Sequence, residues 1–113
     1  GKRKQPYFVK MKNGDLFAMA GIWESWQNPK GETIESCAII TTAANTIAAK
    51  LHDRMPVILP KDCYGLWLDP VREVFSFPEY MRPYDPFKMT AYPVSSMVND
   101  VKNEGESCIS MAY

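Results

Sequence analysis

Two β-like runs open the chain, Tyr7 to Met11 and Leu16 to Ile22, joined by Lys12-Asn13-Gly14-Asp15. The Asn-Gly step between them predicts a hairpin. The second run continues into Trp23-Glu24-Ser25-Trp26 and then a polar loop from Gln27 to Thr33 that holds Pro29 and Gly31. Ile34 to Thr41, with β-branched Ile39, Ile40 and Thr41, predicts a third strand. Thr42 is placed to cap a short helix through about Leu51, because Ala44, Ile47, Ala48 and Leu51 recur at helical spacing and make one narrow apolar face. Met55-Pro56 ends the following turn, and Val57-Ile58-Leu59 reads as a buried strand. Pro60 to Leu68 predicts a second short helix with Pro60 in its first turn and Asp69-Pro70 as its stop. Val71 to Phe87 has no clear pattern, Met89 to Pro93 predicts a strand, and Val94 to Tyr113 reads as strand plus loop. The sum is an α+β chain with a mainly β core and no internal repeat.

At 113 residues and 46% hydrophobic, the chain has the size of one small domain or a piece of one. Thirteen basic residues balance thirteen acidic ones, so no global charge advertises nucleic acid or membrane. Lys2, Arg3, Lys4, Lys10 and Lys12 nevertheless gather five positive charges in the first twelve residues, a run that reads as solvated. Cys37, Cys63 and Cys108 are odd in number and widely spaced, which argues against a disulfide framework or zinc site and for a reducing, cytoplasmic setting. They read as small buried hydrophobes. No apolar run approaches membrane-spanning length. Gly1-Lys2-Arg3-Lys4-Gln5-Pro6 resembles a loop tip and lacks an initiator methionine, so a fragment is expected.

The chemistry concentrates at His52-Asp53-Arg54-Met55-Pro56, which carries the only histidine. A bland reading makes this a solvated turn at a helix end. The sharper reading is proton transfer beside an anion-binding guanidinium. His52 falls at or just past the predicted helix, where the helix dipole favours the imidazolium. Hydrolase alternatives lack support: Gly105-Glu106-Ser107-Cys108-Ile109 is missing the second glycine of a nucleophile elbow, and no cysteine sits in a protease motif. Phosphate-cradling glycine loops are absent. Trp23 and Trp26 read as core packing, with Glu24 between them open to a raised pKa if buried.

A series of short motifs runs through the chain in order: Lys4-Gln5-Pro6-Tyr7-Phe8, Ala20-Gly21-Ile22-Trp23-Glu24, Ile40-Thr41-Thr42-Ala43-Ala44-Asn45, His52-Asp53-Arg54-Met55-Pro56, Trp67-Leu68-Asp69, and Pro93-Val94-Ser95 leading to Val98-Asn99-Asp100 and Lys102-Asn103. Together they resemble the SOS-response-associated peptidase (SRAP) family over nearly the whole chain. The resemblance implies a bent, bifurcated, mainly antiparallel β-sheet forming a pseudo-barrel with short peripheral helices. It implies that residues 1–113 are the C-terminal portion of a single SRAP domain. It further implies a DNA-damage enzyme that binds abasic sites in single-stranded DNA. Such an enzyme crosslinks to the lesion through an N-terminal cysteine, exposed by self-removal of the initiator methionine, as a thiazolidine. No cofactor, metal or membrane partner is implied, and the setting is cytoplasmic and nucleoid-associated, or nuclear in a eukaryote.

Residue by residue, the resemblance assigns the active-site histidine to His52, a DNA-contacting arginine to Arg54, and a hydroxyl donor to the DNA backbone to Thr41. Asp53 receives no role. The family's nucleophilic cysteine, its active-site asparagine and its catalytic glutamate have no counterpart among these residues, and Glu24 falls after the first motif rather than before it. Lys102 and Asn103 fit either a DNA contact or a structural turn. This chain alone is therefore expected to be inactive. A non-covalent single-strand binding module is the rival from another class, and a protease acting in trans is the remaining alternative.

Overall fold

The computed structural model describes residues 4–70 and 78–113. They form eight strands and one short α-helix, divided between two compact units: Gly1–Leu16 with Pro86–Tyr113, and Phe17–Asp85. Every named strand pairing among the described residues is antiparallel, which gives the α+β class expected from the pattern. The pairings are all two-stranded and do not close into a barrel.

In the first unit β1 (Tyr7–Met11) pairs along its whole length with β8 (Met89–Pro93), from Tyr7 opposite Pro93 to Met11 opposite Met89. Met11, Met89, Val94 and Cys108 are the buried residues there. Phe8 and Tyr92 face each other across the ladder with ring centroids 5.6 Å apart and planes tilted by 60°, a geometry favourable for an aromatic pair. The predicted hairpin between β1 and the next strand does not form. A two-residue type I′ turn needs positive φ at both central residues. Gly14 has φ of 80°, but no described non-glycine residue has positive φ, so Asn13 does not take up that geometry. Asn13 instead accepts a hydrogen bond from the Asp15 N–H at 2.9 Å, and β1 finds its partner far along the chain.

The second unit is built around a junction. Strand β2 (Ala18–Met19) passes through Ala20 into β3 (Gly21–Gln27); β4 (Thr33–Ile39) passes through Ile40 into β5 (Thr41–Ala43); and β6 (Arg54–Pro56) passes through Val57 into β7 (Ile58–Leu59). The three linking residues bond in a ring: the Ala20 N–H donates to Val57 at 2.8 Å, Val57 to Ile40 at 2.8 Å, and Ile40 to Ala20 at 2.9 Å. Around this ring the arms pair off as β2 with β7, β3 with β4, and β5 with β6. The junction is the physical form of the bifurcation. Ala20 and Val57 are completely buried and, with Leu59 and Cys63, make the core against which Ile40, Tyr64, Trp67, Tyr80 and Met81 pack.

The segment predicted as a helix from Pro60 forms as expected, with a 3₁₀ turn (Lys61–Cys63) running into α1 (Tyr64–Trp67). The helix predicted from Thr42 to Leu51 does not. Thr42 lies in β5 and its hydroxyl donates to the Met81 carbonyl at 3.3 Å, leaving only a single 3₁₀ turn at Ala48–Lys50. In Val94 to Tyr113, 3₁₀ turns at Ser96–Asn99 and Glu106–Ile109 and an isolated Val94–Met111 bridge replace the expected strand. Within the unassigned Val71 to Phe87, residues 71–77 lie outside the described residues, as do Lys2 and Arg3 of the basic run.

Candidate nucleic-acid and acid–base site

All three residues singled out from the sequence fall on one supersecondary unit, the β5–β6 hairpin with its connecting loop. Thr41 pairs with Pro56, Thr42 with Met55 and Ala43 with Arg54, and the Ala44 N–H to Asp53 carbonyl bond at 3.1 Å closes the base of the loop. Asn45 shapes the first turn of that loop. Its side-chain oxygen accepts from the N–H groups of Ile47 at 3.1 Å and Ala48 at 2.9 Å, and its amide donates to the Tyr84 carbonyl at 2.8 Å. At 7% exposed, it is a buried polar residue with its hydrogen-bonding groups engaged. Asn45 thus performs the capping expected of Thr42. The available signal was the preference for asparagine at helix N-caps, which a hydroxyl three residues earlier obscured.

The turn hands the chain to His52, whose N–H donates to Ala48 at 2.9 Å. The position at a helical C-terminus matches the expectation, but a three-residue turn carries little macrodipole. The local partners of the ring matter more. Nδ1 lies 3.0 Å from the Arg54 backbone N–H, from which it accepts, and 3.0 Å from an Asp53 carboxylate oxygen. These contacts belong to different protonation states. With its lone pair on the Arg54 amide, Nδ1 carries no proton and the neutral ring holds its hydrogen on Nε2. With a proton on Nδ1, that nitrogen can no longer accept from the Arg54 amide and donates to Asp53 instead. Both side chains are strongly exposed, His52 at 71% and Asp53 at 90%, so the ring is open to a substrate.

Arg54 reaches diagonally across the ladder to Thr41. One guanidinium nitrogen, Nη2, donates to the Thr41 carbonyl at 2.8 Å and to its hydroxyl at 3.1 Å. A long side chain spans this diagonal readily. Both residues are exposed, and a guanidinium has five N–H donors, so it can hold an anion while keeping Thr41. The outcome is an exposed acid–base ring and an anchored cation two positions apart on one hairpin. Among the described residues no group of three or more His, Cys, Asp or Glu side chains gathers in a metal-binding arrangement. No helix among them is long and apolar enough to cross a membrane.

The other sequence candidates separate. Glu24 is exposed on β3 rather than buried between the two tryptophans. Trp23 and Trp26, expected in the core, are 72% and 49% exposed. Asn103 uses its amide on the Met97 carbonyl at 2.8 Å, and the Lys102 backbone N–H donates to Asp100 at 2.9 Å, which folds this motif into a turn with the Lys102 residue exposed. Cys63 and Cys108 are buried as read, whereas Cys37 is exposed, and all three are free thiols.

The model of the SOS response associated peptidase (SRAP) family matches residues 1–101. The chain belongs to the SRAP family. It is 42% identical over 112 residues to the abasic site processing protein YoqW of Bacillus subtilis (strain 168), an alignment that covers 96% of this chain and 49% of YoqW. It is 32% identical over 133 residues to the abasic site processing protein HMCES of Gallus gallus, covering 96% of this chain and 38% of that one. A crystal structure of a protein from Bacteroides thetaiotaomicron superposes on the whole chain with a TM-score of 0.82 at 29% identity, using 50% of the Bacteroides chain. This SRAP chain therefore spans about half the length of the Bacillus relative and of the solved structure it matches.

Proposed function

We propose that this chain is the part of an abasic-site processing SRAP protein that supplies the acid–base and phosphate-binding groups. The complete protein would crosslink to abasic sites in single-stranded DNA. The observation that carries the reading is the pairing of the Arg54 guanidinium with Thr41, on the hairpin that also presents the exposed His52 ring. Contacts of the Arg54 and Thr41 kind go to the sugar–phosphate chain and carry no base information, which suits a lesion that has no base.

In the proposed chemistry the ring-opened deoxyribose presents an aldehyde. The amine of an N-terminal cysteine, supplied outside these 113 residues after self-removal of the initiator methionine, adds to that carbon. The resulting carbinolamine loses water to give a Schiff base. The thiol then adds across the C=N bond, its proton passing to nitrogen, and a thiazolidine closes without any net oxidation or reduction. His52 would open the sugar by moving the proton between the ring oxygen and the hydroxyl, a task worth roughly 10²- to 10⁴-fold. The cell compartment for such a protein would be the cytoplasm around the nucleoid, or the nucleus of a eukaryote.

The test is a denaturing gel of an abasic oligonucleotide after incubation with the complete protein. We expect a retarded band that survives denaturant, disappears when the N-terminal cysteine is replaced by alanine, and forms about 10²- to 10⁴-fold more slowly in His52→Asn. The 113-residue chain alone should give no band. Salt-sensitive binding to single strands with no adduct from the complete protein would instead favour the non-covalent module.

A further inference from the structure

The basic run near the start of the chain takes no part in the hairpin chemistry, but the β1–β8 ladder gives two of its members a setting. Register sets Phe8 opposite Tyr92 and Lys10 opposite Thr90. Side chains alternate across a strand, so these four share one face, and Met11 and Met89 are buried on the other. The Lys12 backbone N–H donates to the Lys88 carbonyl at 2.9 Å, which carries the ladder one pair beyond Met11 and Met89 and brings two lysines side by side at its end. Both are exposed, while Phe8, Lys10, Thr90 and Tyr92 are partly exposed. Like charges directly opposite each other on a ladder repel. Among the described residues no carboxylate lies within ion-pair distance of Lys10, Lys12 or Lys88. Asp15, the acid nearest to Lys12 along the chain, accepts from the Asn13 amide at 3.1 Å. The ladder thus ends in three lysine charges that nothing within its own unit offsets.

We propose that this face is a second contact surface for the sugar–phosphate chain of single-stranded nucleic acid, used whether or not the strand carries an abasic site. The inference rests on the reading of a single strand as partner, and places it also on the unit that does not hold His52 and Arg54. Two observations favour a nucleic acid over an acidic peptide. Residues two apart on one face lie about 6.8 Å apart along an antiparallel strand, close to the phosphate step of an extended nucleic-acid strand. Lys10 and Lys12 can therefore meet successive phosphates, with the Thr90 hydroxyl beside them as a further donor. The Phe8 and Tyr92 rings, 5.6 Å apart, stand next along the same face, where a base can stack. The Tyr92 hydroxyl is held by the Ile109 carbonyl, which fixes that ring in place. An acidic peptide would engage the lysines and bring no base for the rings.

The 113-residue chain is titrated into a fluorescein-labelled oligothymidylate without an abasic site. Anisotropy is read from about 50 to about 200 mM salt, and each phosphate neutralised on a single strand contributes about 0.7 to the slope of log affinity against log salt. Replacing Lys10, Lys12 and Lys88 together by glutamine should lower the slope by about 2. Lys12→Gln with Lys88→Gln, both at exposed positions, should lower it by about 1.4. Arginine at all three positions should keep the slope, because the charge is retained. Lys30→Gln, in the loop between β3 and β4, should leave binding unchanged. A polyglutamate of equal charge should displace the oligonucleotide poorly. The proposal is overturned if the unaltered chain does not bind, or if both glutamine variants keep its slope. Equal displacement by polyglutamate would also overturn it and assign the face to an acidic peptide. The strand is undamaged and the lysines lie outside the His52 hairpin, so failure here is read separately from failure of the crosslinking assay on abasic DNA.

Discussion

At the scale of single residues, the β5–β6 hairpin assigns distinct duties to neighbours that the sequence presents as one charged cluster. Arg54 is anchored by Thr41, and His52 is held through Nδ1 by either a backbone amide or a carboxylate. Asp53, without a role in the resemblance, is one of those two partners. If Arg54 grips a single phosphate of single-stranded DNA, Arg54→Ala in the complete protein should lower the slope of log affinity against log salt by about 0.7. Arg54→Lys should keep the slope while weakening binding, because an ammonium keeps the charge but loses the planar fork. Fluorescence anisotropy over a salt series reads both. His52 and Arg54 stood out as candidates because chemistry resides in residue type, whereas Thr41 entered only through the family resemblance. Asn45 did not stand out, because a buried cap is recognised by what it bonds to rather than by its letter.

At the scale of elements, the junction of Ala20, Ile40 and Val57 explains both the successes and the failures of pattern reading. The strands predicted over Leu16 to Ile22 and Ile34 to Thr41 exist, but each breaks at a single junction residue, and the first runs on to Gln27. Alternation of side chains continues through a bend, so a period of two cannot reveal where a strand changes partners. The Asn-Gly turn misled for a related reason, since turn chemistry fixes a reversal but not the strand that profits from it. Ala20 has no exposed surface and sits inside the ring of hydrogen bonds, so a larger side chain there must push on the junction. Ala20→Leu should cost about 1–3 kcal/mol. Urea denaturation should show a lower midpoint with an unchanged slope.

At the scale of the whole molecule, the protonation of one buried and one partly buried group ties stability to alkalinity. Burial, assisted by the charge of Asp62, raises the Cys63 thiol above its ordinary 9.0, and the thiol donates to the Pro60 carbonyl at 3.1 Å. Burial and the charges of Glu79 and Asp62 raise Tyr80 above 10.0 in the same direction. Each folded group therefore holds its proton more tightly than the unfolded chain does. Stability should be fully present below pH 9 and decline as pH rises past the unfolded values. Urea titrations from about pH 7 to about pH 11 should show this decline, with a shallower onset in Cys63→Ala. The division into two units was the least legible feature, because it depends on which distant strands meet. The pairing of β1 with β8 also sets a timetable. During synthesis Tyr7–Met11 precedes the junction strands, yet its partner Met89–Pro93 arrives only after all of Phe17–Asp85 has been made. The β1–β8 ladder can therefore close only after every strand of the three-way junction has been made, although β1 itself precedes them.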